Sequence, residues 1–240
     1  MQEAEAREPD EVRRYGEAPE QIVEVFRAAA RAGDAARGPV VLVHGGFWRA
    51  RWDRMHARPL AAALADRGHD VLLPEYRRVG DEGGGWPGTG EDVLAVVEAL
   101  PALLPGSGPA TLVGHSAGGH LAVWSQSAHP SPGVRAVVVL AGVLDLTAAS
   151  AARLSDDAVG ELLGGDHTLL AEADPARLPP PPQPTTLIHG ALDDTVPVEY
   201  SRRYSARHRS VNLHELADAG HLDLVDPTGP AFTALLAALA

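Results

Sequence analysis

Ala110-Thr111-Leu112-Val113-Gly114-His115-Ser116-Ala117-Gly118-Gly119-His120-Leu121 decides how this chain is read. An apolar run leads into Gly-His-Ser-Ala-Gly, and a helix-like run then continues to Ala128. A strand that turns this sharply into a helix forces its serine into a strained backbone conformation, which is tolerated only if the residues two positions away on each side are small. Gly114 and Gly118 meet that condition, so Ser116 is the candidate nucleophile. A Gly/Ser/Ala turn can also close a strand for purely structural reasons, so the rest of the chain has to supply partners for the hydroxyl.

The first partner lies upstream. Pro39-Val40-Val41-Leu42-Val43 runs into His44-Gly45-Gly46-Phe47-Trp48, as a buried parallel strand would run into a loop. Glycines there let backbone N–H groups approach a substrate and point at an oxygen that becomes negative during acyl transfer. An oxyanion hole is therefore expected from Gly46, Phe47 and Ala117, the residue after the serine. His44 fits better as an orienting partner of that loop than as a proton-transfer group.

A serine nucleophile also needs a base and a group that orients the base. Thr185 to Gly190 reads as another buried strand, and it delivers Asp193 and Asp194 into the following loop. Val211 to Leu216 alternates like a strand and runs out through Ala219-Gly220 to His221. Ser116, Asp193 and His221 thus follow one another in the order of an α/β-hydrolase triad, each after a predicted strand. Of the 11 histidines, His214 is the rival to His221, but it lies inside its strand. Asp145 and Asp194 remain open as alternatives to Asp193, with helix capping and a solvated turn as their ordinary roles. Asp193 leads because it comes first out of the strand.

With these residues in view, the chain resembles α/β-hydrolases of the group that includes eukaryotic kynurenine formamidases and related bacterial esterases. His44-Gly45-Gly46-Phe47-Trp48 and Gly114 to Leu121 carry the resemblance. It extends through Tyr76-Arg77-Arg78, Gly83 to Gly88, Asp193-Asp194-Thr195-Val196-Pro197 and Gly220-His221-Leu222-Asp223, and covers the chain from about Tyr15 onward. The resemblance implies Ser116, Asp193 and His221 as the triad and Gly46, Phe47 and Ala117 as the oxyanion hole. It does not settle the choice between esters and formamides.

Composition is consistent with one large domain over residues 1–240, since two separate domains would each be small. Residues 1–14 are expected to be a flexible N-terminus. With no cysteine, disulfides, thiolate metal sites and a cysteine nucleophile are all excluded. All 20 basic residues are arginine and the net charge is −12, which argues against nucleic acid or an anionic membrane as partner. The acidic N-terminus does not resemble a secretory signal, and the apolar stretches are shorter than the ~20 residues of a bilayer span. A cytoplasmic protein is the default expectation. Arg49, Arg51, Arg54 and Arg58 form a local basic cluster, readable as a solvated helix face or as a dock for a substrate carboxylate.

Strand and helix signals alternate along the chain. An early strand is expected over Gln21 to Phe26, separated by the small-residue stretch Ala28 to Gly38 from the Pro39 strand. A helix over Pro59 to Arg67, a strand over Asp70 to Leu73, and a helix that Thr89 and Asp92 would cap through a capping box come next. The pattern predicts an α/β fold, a mainly parallel sheet with helices on both faces. Thr147 to Arg177 is irregular and is expected to form a small cap insertion, followed by the stiff connector Leu178 to Pro184. Ligands on such sheets bind beyond the carboxyl ends of the strands, where every candidate residue falls.

The expected chemistry is hydrolysis of short-acyl carboxylic esters or aryl formamides through an acyl-enzyme on Ser116, without cofactor or metal. Trp48, Trp52 and Trp86 are expected at the mouth of the site as substrate contacts, beside Phe47. The alternatives are a dedicated arylformamidase acting on N-formylkynurenine and a catalytically silent ligand-binding protein on the same fold.

Overall fold

Burial on both faces is what the continuous valine and leucine runs demand, and one eight-stranded sheet meets that demand. The computed structural model describes residues 7–29 and 37–240. Its strands are β1 (Glu11–Arg14), β2 (Ile22–Phe26), β3 (Val40–Val43), β4 (Val71–Pro74), β5 (Ala110–His115), β6 (Val134–Leu140), β7 (Thr185–Gly190) and β8 (Val211–Leu216). The helices are α1 (Arg58–Asp66), α2 (Gly88–Leu103), α3 (Ala117–Ala128), α4 (Leu146–Ala151), α5 (Leu154–Leu162), α6 (Leu170–Ala173), α7 (Glu199–Arg207) and α8 (Pro230–Leu239).

The strand order is β1-β2-β4-β3-β5-β6-β7-β8, antiparallel where β2 meets β1 and β4, and parallel from β4 to β8. Alternate side chains of the central strands enter two apolar layers. Val41, Val43 and Leu112 pack with α2, α3 and α7, whereas Val40, Leu42 and Val113 pack with α1 and α8. This is the α/β-hydrolase arrangement expected from the sequence. Among the described residues, no helix is long and apolar enough to cross a membrane.

Three local expectations are corrected. The expected flexible N-terminus overlaps β1, whose residues pair in register with β2 and whose Arg13 reaches the Leu103 carbonyl at 2.6 Å. Only residues 1–6 of it lie outside the described residues, as do residues 30–36 of the small-residue stretch before β3. The capping box before α2 does not form. That helix begins after Pro87 without a side-chain cap, Thr89 Oγ1 donates to the Arg77 carbonyl at 2.6 Å, and buried Asp92 binds Arg77 and Gln21. A tertiary salt bridge has taken the carboxylate that local sequence would have spent on the helix.

The basic cluster divides: Arg51 is exposed and keeps the solvated role, whereas Arg49, Arg54 and Arg58 are taken up by acidic partners. Arg54 and Arg58 both grip Glu24, a wholly buried carboxylate on β2, at 2.6 and 2.7 Å. Arg49 reaches across to Glu161 and to the Ser155 carbonyl, at 2.5 and 2.7 Å. A buried acid that needs charge partners has drawn Arg54 and Arg58 inward.

The segment between β6 and β7 contains α4, α5 and α6. Arg153, Ser155, Asp156 and Asp157 all have positive φ, between 48° and 69°, which produces the irregularity that the sequence predicts there. Several bonds tie this segment to the rest of the molecule. Trp86 donates its amide to the Leu162 carbonyl at 2.7 Å and its indole N–H to Glu172 at 2.8 Å, and His120 Nε2 donates to the Ala173 carbonyl at 2.9 Å.

Candidate active site

β5 and α3 meet at Ser116, which has φ 55° and ψ −117°. The two flanking glycines permit this geometry for a visible reason. A Cβ on Gly114 would lie 2.2 Å from the Gly118 carbonyl oxygen, and one on Gly118 would lie 2.1 Å from the Val43 carbonyl oxygen. No side chain fits either position, so the turn is closed only because both residues are glycine.

The loop after β3 lies directly against this turn. A Cβ on Gly45 would come within 3.0 Å of Ser116 Cβ. Gly46, Phe47 and Trp48 have φ of 117°, 52° and 58°, so the backbone coils in the left-handed region over three successive residues. Among the described residues, neither the Phe47 amide nor the Ala117 amide donates to a protein acceptor, and the Ala117 amide opens α3, where intrahelical partners are lacking. Gly45 thus seats the loop that carries Gly46 and Phe47 against the turn that carries Ser116 and Ala117.

A buried network holds this loop, with His44 in the orienting place read from the sequence and Glu75 as a partner that reading did not include. His44 is fully buried, stacks on Tyr76 at 4.4 Å, and faces the Gly45 carbonyl through Nδ1 and Glu75 Oε1 through Nε2, both at 2.7 Å. Glu75 also accepts from the Arg54 amide at 3.1 Å and lies 3.3 Å from Arg78. Burial pushes the Glu75 carboxyl up, but the His44 bond and charge, Arg78 and the Arg54 amide outweigh it and bring it down to about 2. Glu75 directly follows β4, yet nothing in its local sequence marks it.

Asp193 and His221 meet as expected. His221 Nδ1 donates to Asp193 Oδ2 at 2.7 Å, and Asp193 Oδ1 accepts the Thr195 and Val196 amides at 2.9 and 2.7 Å. The Asp193 side chain is fully buried and His221 is 9% exposed. The two rivals of Asp193 are occupied elsewhere: Asp145 caps α4 through the Ala148 amide at 2.8 Å, and Asp194 accepts from Thr195 Oγ1 at 3.1 Å. His214 stays within β8.

His115, the neighbour of Ser116, connects the two halves of the site. Its ring lies 4.7 Å from the His221 ring, and its Nε2 is 3.2 Å from the His221 carbonyl oxygen. Burial, with the nearby His221 and His56, pushes His115 well below the usual histidine range, so it stays neutral. The bonds that His221 makes among the described residues are those with Asp193 and His115. Among the described residues, its Nε2 has no protein partner, and neither has the Ser116 hydroxyl. Such a bond commonly closes only when substrate is bound.

The three tryptophans separate. Trp48 is wholly buried in the apolar core, edge-on to His120 at 5.2 Å, and is corrected from a mouth residue to a packing residue, because the left-handed coil of the loop turns its indole inward. Trp86 is half-buried, packs against Trp124 at 4.5 Å and has its N–H bonded to Glu172. Trp52 is 50% exposed and packs its Cβ under Gly46. Among the described residues, no group of three or more His, Cys, Asp or Glu side chains could hold a metal ion.

Residues 40–231 match the alpha/beta hydrolase family, and the chain belongs to it. No curated protein sequence matches the chain closely. Among solved structures, it is similar to an inhibitor-bound esterase B of Lactobacillus rhamnosis (24% identity, TM-score 0.76, covering 98% of this chain and 89% of that one). It is also similar to a propionate-bound thermophilic esterase of Thermogutta terrifontis (21% identity, TM-score 0.71, covering 95% and 90%). A third similar structure is a truncated carbohydrate esterase from gut microbiota (16% identity, TM-score 0.76, covering 97% and 98%).

Proposed function

We propose that the protein is a serine hydrolase that cleaves short-acyl carboxylic esters through an acyl-enzyme on Ser116. The observation that carries this reading is the 2.7 Å bond between Asp193 and His221 Nδ1, formed beside a serine held at φ 55°. With the Nδ1 proton committed to Asp193, the Nε2 lone pair of His221 is free to take the Ser116 proton. The alkoxide oxygen then attacks the substrate carbonyl, and the amides of Phe47 and Ala117, with that of Gly46, receive the negative oxygen. His221 returns the proton to the departing alcohol. Water, deprotonated by the same nitrogen, cleaves the acyl-enzyme and restores Ser116.

Two considerations favour short acyl groups. Half-buried Phe47 follows Gly46 in the loop that carries the amide donors, where its ring would narrow the acyl side. Three of the similar structures are a C6–C4 inhibited esterase B, an esterase B inhibited by a C4–C4 tributyrin phosphonate, and an esterase with propionate bound. Each methylene forced into a pocket too small for it costs about 1–3 kcal/mol, which makes the rate fall steeply along an acyl series. A narrower reading, hydrolysis of aryl formamides such as N-formylkynurenine, is favoured by the sequence His44-Gly45-Gly46-Phe47-Trp48, and formyl is the smallest acyl group of all.

The test combines a fluorophosphonate probe with kcat/KM for acetyl, butyryl, octanoyl and dodecanoyl p-nitrophenyl esters and for an aryl formamide. Labelling confined to Ser116 and a maximum at acetyl or butyryl are expected. A folded sample that takes no label would overturn the hydrolase reading, and a maximum at octanoyl or beyond would replace the short-acyl preference with a lipase-like one.

A further inference from the structure

The Asp193 carboxylate has a fourth partner that the triad reading does not use. His189, fully buried near the end of β7, places its Nε2 3.2 Å from Asp193 Oδ2, the same oxygen that takes the His221 bond. That nitrogen also lies 3.0 Å from the Val196 carbonyl oxygen, while Nδ1 lies 2.8 Å from Ser201 Oγ on α7. Both neighbours of Nε2 are acceptors, so the proton of a neutral imidazole belongs on Nε2, and Nδ1 accepts the Ser201 hydroxyl proton.

We propose that His189, held by Ser201 as the Nε2–H tautomer, is a positioning residue that fixes the Asp193 carboxylate and through it the orientation and basicity of His221. The inference rests on the reading of Ser116, Asp193 and His221 as a triad.

The physical case starts from burial. A carboxylate shut off from water must have its lone pairs satisfied, and two amides and His221 supply three donors to a group that accepts about four. The His189 Nε2–H, hydrogen-bonded to the Val196 carbonyl, also turns its positive end toward the fourth site of the carboxylate, without adding charge. A neutral donor stabilises the ionised carboxylate and draws charge from it, so that His221 is held without being locked as an imidazolium. In keeping with this, burial pushes the Asp193 carboxyl up, but the bonds from His189, His221 and the Val196 amide outweigh it and hold Asp193 well below the usual carboxylate range.

The backbone is built for the same contact. A Cβ on Gly190 would lie 2.0 Å from the Ala219 carbonyl oxygen, so the strand end carrying His189 is pressed against the segment that leads to His221. The other titratable groups facing this cluster are His115 beside His221, His56 beside His115, and Glu215 opposite His189 on β8. Glu215 is exposed and paired with Arg202, and none of the three bonds to Asp193. A change at position 189 therefore leaves them in place.

The experiment measures the second-order rate of Ser116 labelling by a fluorophosphonate against pH, in the wild type, His189→Leu, His189→Gln and Ser201→Ala. In His189→Leu the plateau should fall roughly ten- to hundredfold, the worth of a hydrogen bond to a charged group. Its acid limb should move to higher pH by about half a unit or more, because a carboxylate short of one donor is more basic and raises its partner. His189→Gln, which restores an N–H donor, should recover most of the rate and return the limb. Ser201→Ala should move the limb in the same direction by less. A His189→Leu profile within twofold of the wild type, or a loss with an unmoved limb that Gln does not rescue, overturns the proposal. Should His189→Leu fail to fold, an unmoved limb in Ser201→Ala overturns it equally. A folded wild type that takes no label overturns the reading of Ser116 itself and the proposal with it, an outcome distinct from the others.

Discussion

His44 Nε2 and Glu75 Oε1 are joined at 2.7 Å inside the protein, and this bond anchors the loop that carries the Phe47 amide. Glu75→Gln keeps the shape but removes the charge that Arg54 and Arg78 also use. Breaking a buried charge cluster by removing one partner costs about 3 kcal/mol or more, so urea unfolding should show a loss of that order. Esterase kcat should fall with it, because the loop is no longer fixed. An unchanged unfolding midpoint would show that the cluster is not what holds the loop.

The identity of the acid is tested by three amides. Asp193→Asn should lower kcat/KM by several orders of magnitude, since the amide favours the wrong His221 tautomer. Asp194→Asn and Asp145→Asn should stay within a few-fold of the wild type, because their carboxylates serve a turn and the cap of α4. A larger loss at Asp145 than at Asp193 would transfer the orienting role.

The elbow glycines should not tolerate a methyl group. Gly114→Ala would place Cβ 2.2 Å from a backbone oxygen, a contact that no side-chain rotation relieves. The expected result is a variant at least 2 kcal/mol less stable, or one that folds with the turn displaced and the fluorophosphonate rate sharply reduced. Gly108→Ala, at a position with nothing within 4 Å, is the control and should behave as wild type.

Stability should fall in acid in two stages. Burial pushes His120 down to about 4, so the folded chain keeps it neutral while the unfolded chain protonates it near 6.5. Between these values the unfolded state binds the extra proton, so lowering the pH from 6.5 to 4 favours unfolding, by up to about 3 kcal/mol from this residue. Glu75 acts in the lower window. Its stabilisation is present above the unfolded value of 4.5 and is lost as pH falls towards its folded value of about 2. Denaturant melts at pH 7 and pH 4.5 should show a smaller drop for His120→Gln than for the wild type, and an equal drop would remove His120 from the account.

Trp48 and Trp52 should behave oppositely. Trp48→Ala empties part of the core and should cost about 3–5 kcal/mol. Trp52→Ala removes a half-exposed ring and should leave the unfolding midpoint nearly unchanged while raising KM for aryl esters. Comparable destabilisation by both substitutions would contradict the separation.

Features with local causes are legible in the residues alone. Alternating buried runs required a parallel sheet covered on both faces, and the turn at Ser116 required glycine two residues away on each side, so both could be read from residue type and spacing. The order of Ser116, Asp193 and His221 was also legible, because each follows the end of its own strand. Tertiary structure decided what depends on residues distant in the chain. Asp92 left its expected helix cap for Arg77, and Arg54 and Arg58 turned inward to Glu24. Trp48 turned into the core, and Glu75 and His189 became buried partners of His44 and Asp193. A buried charge or hydrogen-bond donor finds its partner across strands and loops, and that pairing is set by which backbones the fold brings within about 3 Å, a distance no sequence spacing encodes.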